Sequence, residues 1–363
     1  MSMTRVLAAS AALALIGCST PADDVEDVAV GLPILGSGSN DLAAVTLDVL
    51  ADDSDDLNTP RDLDFHPTTG DVWIVNEADE SVTIVVEPGT DAQKSLYKQS
   101  DNGGAHFLGV PSGIAFGDNG MMATSQNTDL PTQGDLTPAD FMGPTLWTAK
   151  KTEFDGGHAS HTDMLHHSPL GKGIAHEVDN VYWYYDGAHK AIARYDFADD
   201  HGLAGADHSD GVVSVWVTGD MSPASDGTPS HLAYDEDSAL LYIADTGANR
   251  IAVLDTTSGK KGDQTSPNYD GTDQFKQKNG DLWTLIDGAE VGLEAPSGIA
   301  LHDGMLFVSD AGNPAIYAFD LEGMLVDFLE VNNDINGIAF APDGTLYSVD
   351  PVANELVRIA VKP

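Results

Sequence analysis

Six stretches of this chain are variations on one pattern, and that recurrence limits the fold more than any other property. They open at Pro60 ("PRDLDFHPTTGDVWIVNEADESVTIV"), Pro111 ("PSGIAFGDNGMMATS"), Gly171 ("GKGIAHEVDNVYWYYDGAHKAIARYDF"), Pro229 ("PSHLAYDEDSALLYIADTGANRIAVLD"), Pro296 ("PSGIALHDGMLFVSDAGNPAIYAFD") and Ile335 ("INGIAFAPDGTLYSVDPVANELVRIAV"). Each is a short apolar segment, a Gly/Asp/Asn turn, an alternating segment, a second polar turn and a third apolar segment. Apolar residues at every second position, punctuated by turn residues, specify strands rather than helices. A unit of three or four strands cannot bury its faces alone, so the six are expected to stack on one another.

The units resemble the NHL-repeat family of β-propellers, whose pattern runs P-x-G-I-A, then D-G, then D-x-x-N-x-x-I. The stretch from Pro229 is the nearest copy, and the resemblance extends from Thr59 to the C-terminus. It implies an all-β fold, a six-bladed β-propeller of four-stranded blades. The last unit ends after three strands. The isolated alternating segment "LAAVTLDVL" (residues 42–50) is expected to supply its fourth and so close the ring. "SHTDMLHH" is the expected fourth strand of the second blade.

The N-terminus sets the compartment. Arg5 precedes "VLAASAALALIG", an apolar run of signal-peptide length ending in "LIGC", which resembles the bacterial lipobox. Residues 1–17 are expected to be a lipoprotein signal peptide and Cys18 its lipidation site, in an exported protein of the outer membrane or cell surface. Cys18 is the chain's single cysteine, which rules out an intramolecular disulfide or a thiolate metal site. Between Val6 and Pro60 there is no Lys or Arg, and residues 18–41 read as an acidic flexible tether to a propeller spanning 42–363. Over the whole chain 58 acidic residues face 16 basic ones, a formal charge of −42, which argues against nucleic acid as a partner. A monomer is expected, with a small molecule, peptide or protein as its ligand.

Histidine supplies the candidate chemistry. Eight of the twelve fall between His158 and His208, five of them in "GGHASHTDMLHHSPLGKGIAH". In a propeller the inner strand of each blade starts at the face called the top. His106 then precedes an inner strand, His166 and His167 end the second blade, His189 sits in the third blade's loop "YDGAHKA", and His231 opens the fourth inner strand. These five are expected, with Arg61, to line a top-face mouth, and the five histidines to hold a divalent transition metal: zinc first, copper or iron next, with calcium as the alternative. Secondary metal candidates are His161, Asp163, His176, His201 and His208. His201 and His208 share the acidic loop "DDHGLAGADHSDG", whose simpler reading is a solvated loop.

Two resemblances imply enzymes. Peptidylglycine alpha-amidating lyases hold axial zinc with three histidines from different blades. "YDGAHKAIARYDF" is similar to one such site at His189, and "TPSHLAY" places His231 one residue from a second. The third position carries Ser297 or Asn336 instead. That resemblance implies Arg61 as a carboxylate clamp and Tyr184 or Tyr185 as a phenolic base. Gluconolactonase-like propellers bind axial calcium, for which Glu77, Asn336 and Asp350 are the counterparts. No glycine-rich phosphate loop, G-x-S-x-G elbow or H-E-x-x-H helix occurs. The expectation is therefore an exported metal- or ligand-binding propeller, with a metal-dependent lyase or hydrolase as the alternative and a protein–protein scaffold as the third reading.

Overall fold

The computed structural model describes residues 31–99, 107–129 and 142–362, and in these the six sequence units become six sheets in a ring. The first strand, β1 (Val45–Ala51), belongs to the last blade. Blade 1 follows as β2 (Pro60–Phe65), β3 (Val72–Asn76), β4 (Ser81–Val86) and β5 (Lys94–Gln99). Blade 2 is β6 (Pro111–Phe116), β7 (Met121–Gln126), β8 (Met142–Thr148) and β9 (His161–His166). Blade 3 is β10 (Gly171–Val178), β11 (Val181–Asp186), β12 (Ala191–Asp196) and β13 (Val212–Trp216). Blade 4 begins β14 (Leu232–Asp235), β15 (Leu240–Asp245) and β16 (Arg250–Asp255). The chain then detours through a hairpin, β17 (Lys260–Gln264) and β18 (Asp273–Lys278), before β19 (Asp281–Asp287) completes the blade. Blade 5 is β20 (Pro296–His302), β21 (Met305–Asp310), β22 (Ala315–Asp320) and β23 (Leu325–Glu330). Blade 6 is β24 (Ile338–Phe340), β25 (Leu346–Asp350) and β26 (Glu355–Val361), and β1 pairs antiparallel with β26 as its outer strand.

β11 shows why the pattern makes blades. Its side chains alternate between two interfaces: Tyr182 and Tyr184 enter the cluster between blades 2 and 3, while Trp183 and Tyr185 enter that between blades 3 and 4. A strand sandwiched in this way buries both faces, so it reads as nearly continuous apolar sequence. Six such clusters fill the six blade interfaces, the last joining Phe65 and Ile74 of blade 1 to Tyr347 and Val349 of blade 6. Each fully buried aromatic contributes on the order of 2–3 kcal/mol from area alone, and the inter-blade aromatics dominate the largest buried side chains.

Two features depart from the sequence reading. The segment expected as tether docks at its end: Leu35 is fully buried among blade 5 and 6 residues, and the amides of Leu32 and Gly38 donate to Asp327 Oδ2 at 2.7 and 3.1 Å. Residues 1–30, with Cys18 and the expected leader, lie outside the described residues, as does His106. The hairpin is the second departure. It leaves blade 4 and lays β18 parallel to β13, so that blade 3 becomes a six-stranded sheet.

Candidate functional site

Every inner strand ends its sheet, so six unpaired backbone edges face the axis around a channel of about 310 Å³. At its top, Arg61 pairs with Glu77, and Asn336, its amide oriented to satisfy both neighbours, accepts from Arg61 Nη1 at 3.0 Å. Lys172, almost buried, donates to Asn127 Oδ1 at 2.9 Å, and burial holds its ammonium below the ordinary lysine range. Beneath them His231 bonds the carbonyl of Ser112 through Nε2 at 2.9 Å and stands 3.5 Å from Asp62 Oδ1. Burial lowers His231 to about 4 and raises Asp62 to about 8, so at neutral pH these are two uncharged groups rather than an ion pair. Asp64, raised to about 7 by the same cause, accepts from the Phe116 amide as Asp62 does from Ile114.

The expected histidine mouth is therefore not assembled on the axis. Arg61 and His231 lie there. His166 ends β9, an outermost strand, and His167 and His189 lie farther out on the same face. Zinc held by His189 and His231 together does not fit, because the two line separate cavities. Of the expected calcium set, Glu77 is paired with Arg61, and Asp350 Oδ1 accepts the Val352 and Ala353 amides, both at 2.8 Å. Asp350 belongs to a series. Asp186, Asp245 and Asp310 occupy the same place in blades 3 to 5, all fully buried and bonded to backbone amides that shape the top loops.

What the structure brings together is His167 and His189. Their rings stack with centroids 4.8 Å apart and planes 12° apart, on the wall of a cavity of about 420 Å³ between blade 3 and the inserted hairpin. Val215, Thr218, Asp263, Gln264, Thr265, Ser266 and Lys276 complete the lining. Second partners fix what each ring presents. Gln274 Nε2 donates to His167 Nδ1 at 3.1 Å, which leaves the Nε2–H of a neutral ring as a donor; burial keeps that ring neutral, at about 4. His189 Nδ1 donates to the buried Asp186 at 2.6 Å, and this bond raises the histidine above its usual value. Protonated, His189 also offers Nε2–H. His167 carries φ of 129°, a strained value for a residue with a side chain, at the point where β9 ends. His166 beside it is held by Asp270 of the hairpin loop through both its amide and Nδ1, each at 2.7 Å.

The other candidates resolve as follows. Tyr184 and Tyr185 are core phenols, donating to Gln126 O at 3.4 Å and Asp245 at 2.8 Å, and burial raises both well beyond use as bases. His161 has both ring nitrogens against carbonyls, of His158 at 2.7 Å and Gly205 at 3.0 Å, so it has no lone pair directed at a metal. His176 bonds Asp179 O at the lower rim of the channel. Asp163, His201 and His208 do come together, joined by Asp210. Sequence reasoning missed Lys276, Gln274 and Asp270 altogether. The available signal was compositional: four of the chain's lysines lie between Lys260 and Lys278.

No protein-family profile matches this sequence, and no curated protein does. Solved structures do match. The chain is similar to an auxiliary nutrient binding protein from Bacteroides ovatus, with a TM-score of 0.57 and 16% identity over 88% of this chain and 74% of that one. It is similar to a calcium-binding protein, regucalcin, from Agrobacterium tumefaciens, with a TM-score of 0.55 and 14% identity over 87% and 94%. It is also similar to virginiamycin B lyase from Staphylococcus aureus, with a TM-score of 0.50 and 12% identity over 88% and 100%. Proteins with such different ligands share one ring at these identities, so the likeness speaks to architecture alone. The chain is a six-bladed β-propeller.

Proposed function

We propose that this chain is an exported, lipid-anchored propeller that binds a small oxygen-rich anion, without turnover, in the top-face cavity of His167 and His189. The observation that carries this reading is the orientation of those two rings. Gln274 and Asp186 occupy the Nδ1 atoms, which leaves the Nε2–H of His167, and that of His189 when protonated, in a lining that also holds Lys276, the hydroxyls of Thr218, Thr265 and Ser266, and Asp263. In a chain of charge −42, a cavity offering mostly donors selects an anion only if it is built to do so. A carboxylated sugar or other small carboxylate matches the donor set and the volume. The likeness to a nutrient binding protein is in keeping with this, and the burial of Tyr184 and Tyr185 weighs against the lyase alternative.

Isothermal titration of the full chain with citrate, galacturonate and phosphate tests the reading. Saturable binding of at least one is expected at pH 6, weakening by about tenfold at pH 9 as His189 loses its proton. His189→Ala and Lys276→Ala should each abolish it. Absence of binding by all three anions would sink the proposal. The anchor is tested separately: Cys18→Ala should move the chain from the membrane to the soluble fraction.

A further inference from the structure

Among the described residues, three metal-ligating side chains converge at one place, and it is neither the axis nor the histidine cavity. The connection from β12 to β13, residues 197–211, folds back onto β9. It is tied there at three points: Ala204 N donates to His161 O at 2.8 Å, Gly205 O lies 3.0 Å from His161 Nε2, and His208 Nδ1 donates to Asp163 Oδ1 at 2.5 Å. A bulge in β9 between these two residues turns the His161 ring onto Phe107 and leaves Asp163 facing the loop. One ligand atom each from Asp163, His201 and Asp210 then lie within 4.8 Å of one another, with His201 Nε2 only 2.8 Å from Asp210 Oδ1.

An acidic loop is not a metal site by itself, but Asp163 adds an independent observation. Its side chain is fully buried, and its Oδ2 is one of the buried polar atoms with no hydrogen-bond partner among the described residues. A buried carboxylate oxygen left bare is costly, on the order of 1–3 kcal/mol. In native proteins such an atom commonly marks a water or an ion. We infer that Asp163, His201 and Asp210 bind a divalent transition metal, with His208 as the positioning residue that orients Asp163.

The chemistry of the set argues for the metal class. One imidazole and two carboxylates suit zinc or its neighbours; calcium wants six to eight oxygens, more than this pocket supplies. Two carboxylates also neutralise a dication, which matters where Asp199, Asp200 and Asp207 already crowd the same loop. The hydrogen bond from His208 to Asp163 is the kind of outer contact that fixes a carboxylate ligand. Tetrahedral zinc at about 2.0–2.2 Å from each atom needs ligand separations of roughly 3.3–3.6 Å. His201 and Asp210 are both partly exposed at the surface of the loop, and their ligand atoms already lie 2.8 Å apart. Three protein ligands leave one position for water, and the metal would pin the long loop to the neighbouring blade.

The test uses the purified full chain, stripped with chelator and titrated with Co²⁺ and then with Zn²⁺ as competitor. One equivalent of Co²⁺ is expected, with visible absorption of a low-coordinate site that zinc displaces. His201→Ala and Asp210→Asn lie on the surface loop and leave the strands intact; each should weaken binding at least tenfold. His208→Gln should weaken it less, with the cobalt spectrum shifted. Stoichiometry below about a tenth would mean two histidine–carboxylate pairs and no metal. Unchanged affinity in both loop variants, or preference for Ca²⁺ over Co²⁺, would equally overturn the assignment. The anion titrations should be unaffected by these variants, so the two proposals fail independently.

Discussion

Asp62 and Asp64 stand two positions apart on β2, which aims both carboxyls at the free edge of β6. Each takes one amide there, Ile114 and Phe116, at 3.0 and 2.8 Å, so two side chains do part of what an added strand would do. Burial is the leading cause that raises them, to about 8 and about 7. A carboxyl raised in the folded state stabilises fully below its unfolded value near 4 and loses that contribution as pH rises through 7 and 8. The melting temperature of the wild type should therefore fall between pH 6 and pH 9 by more than that of the Asp62→Asn/Asp64→Asn double variant, which keeps the acceptor oxygens but cannot ionise. Parallel curves would show that these carboxyls do not titrate in that window. None of this was legible from "PRDLDF", where alternation says only that the aspartates share a face.

At the scale of elements, legibility followed periodicity. The strands that are apolar runs between turn residues, β11 or β15 for instance, were placed by the repeat, and so were "SHTDMLHH" as β9 and the closing partner of β26. The hairpin β17–β18 was missed because "KKGDQ" and "DQFKQK" carry no such signal; their faces are largely exposed, with Lys261 lying over Phe275 at 4.4 Å. The site was lost for a related reason. Sequence order says that His166 and His167 end a blade, but distance from the axis is set by which strand of the blade they end. Asp163 and His201 meet only because one blade's loop crosses to the next blade's edge. Excising the hairpin tests this reading of the elements. Asp255 faces Asp281 across the β16–β19 ladder, so an Asn-Gly turn in place of residues 256–280 closes the same pair. The ring should survive, with its strand content by circular dichroism preserved, while anion binding disappears with Lys276 and Gln274. Retained binding would place the site elsewhere.

The whole molecule carries its charge as a field, not as a set of pairs. With 58 acidic and 16 basic residues, folding brings like charges together on one surface, and added salt relieves that repulsion. The screening length drops from about 30 Å at 0.01 M to about 3 Å at 1 M. Across that range of sodium chloride the melting temperature should rise by at least about 2 °C; a fall would mean that its ion pairs outweigh its net charge. The pairing of β1 with β26 has a different consequence. Because Val45 faces Val361, the chain enters and leaves the ring at one corner, and no blade is privileged as the first. A circular permutant that fuses this corner and reopens the chain at an exposed turn, such as the one between β20 and β21, should assemble the same wheel from a new beginning.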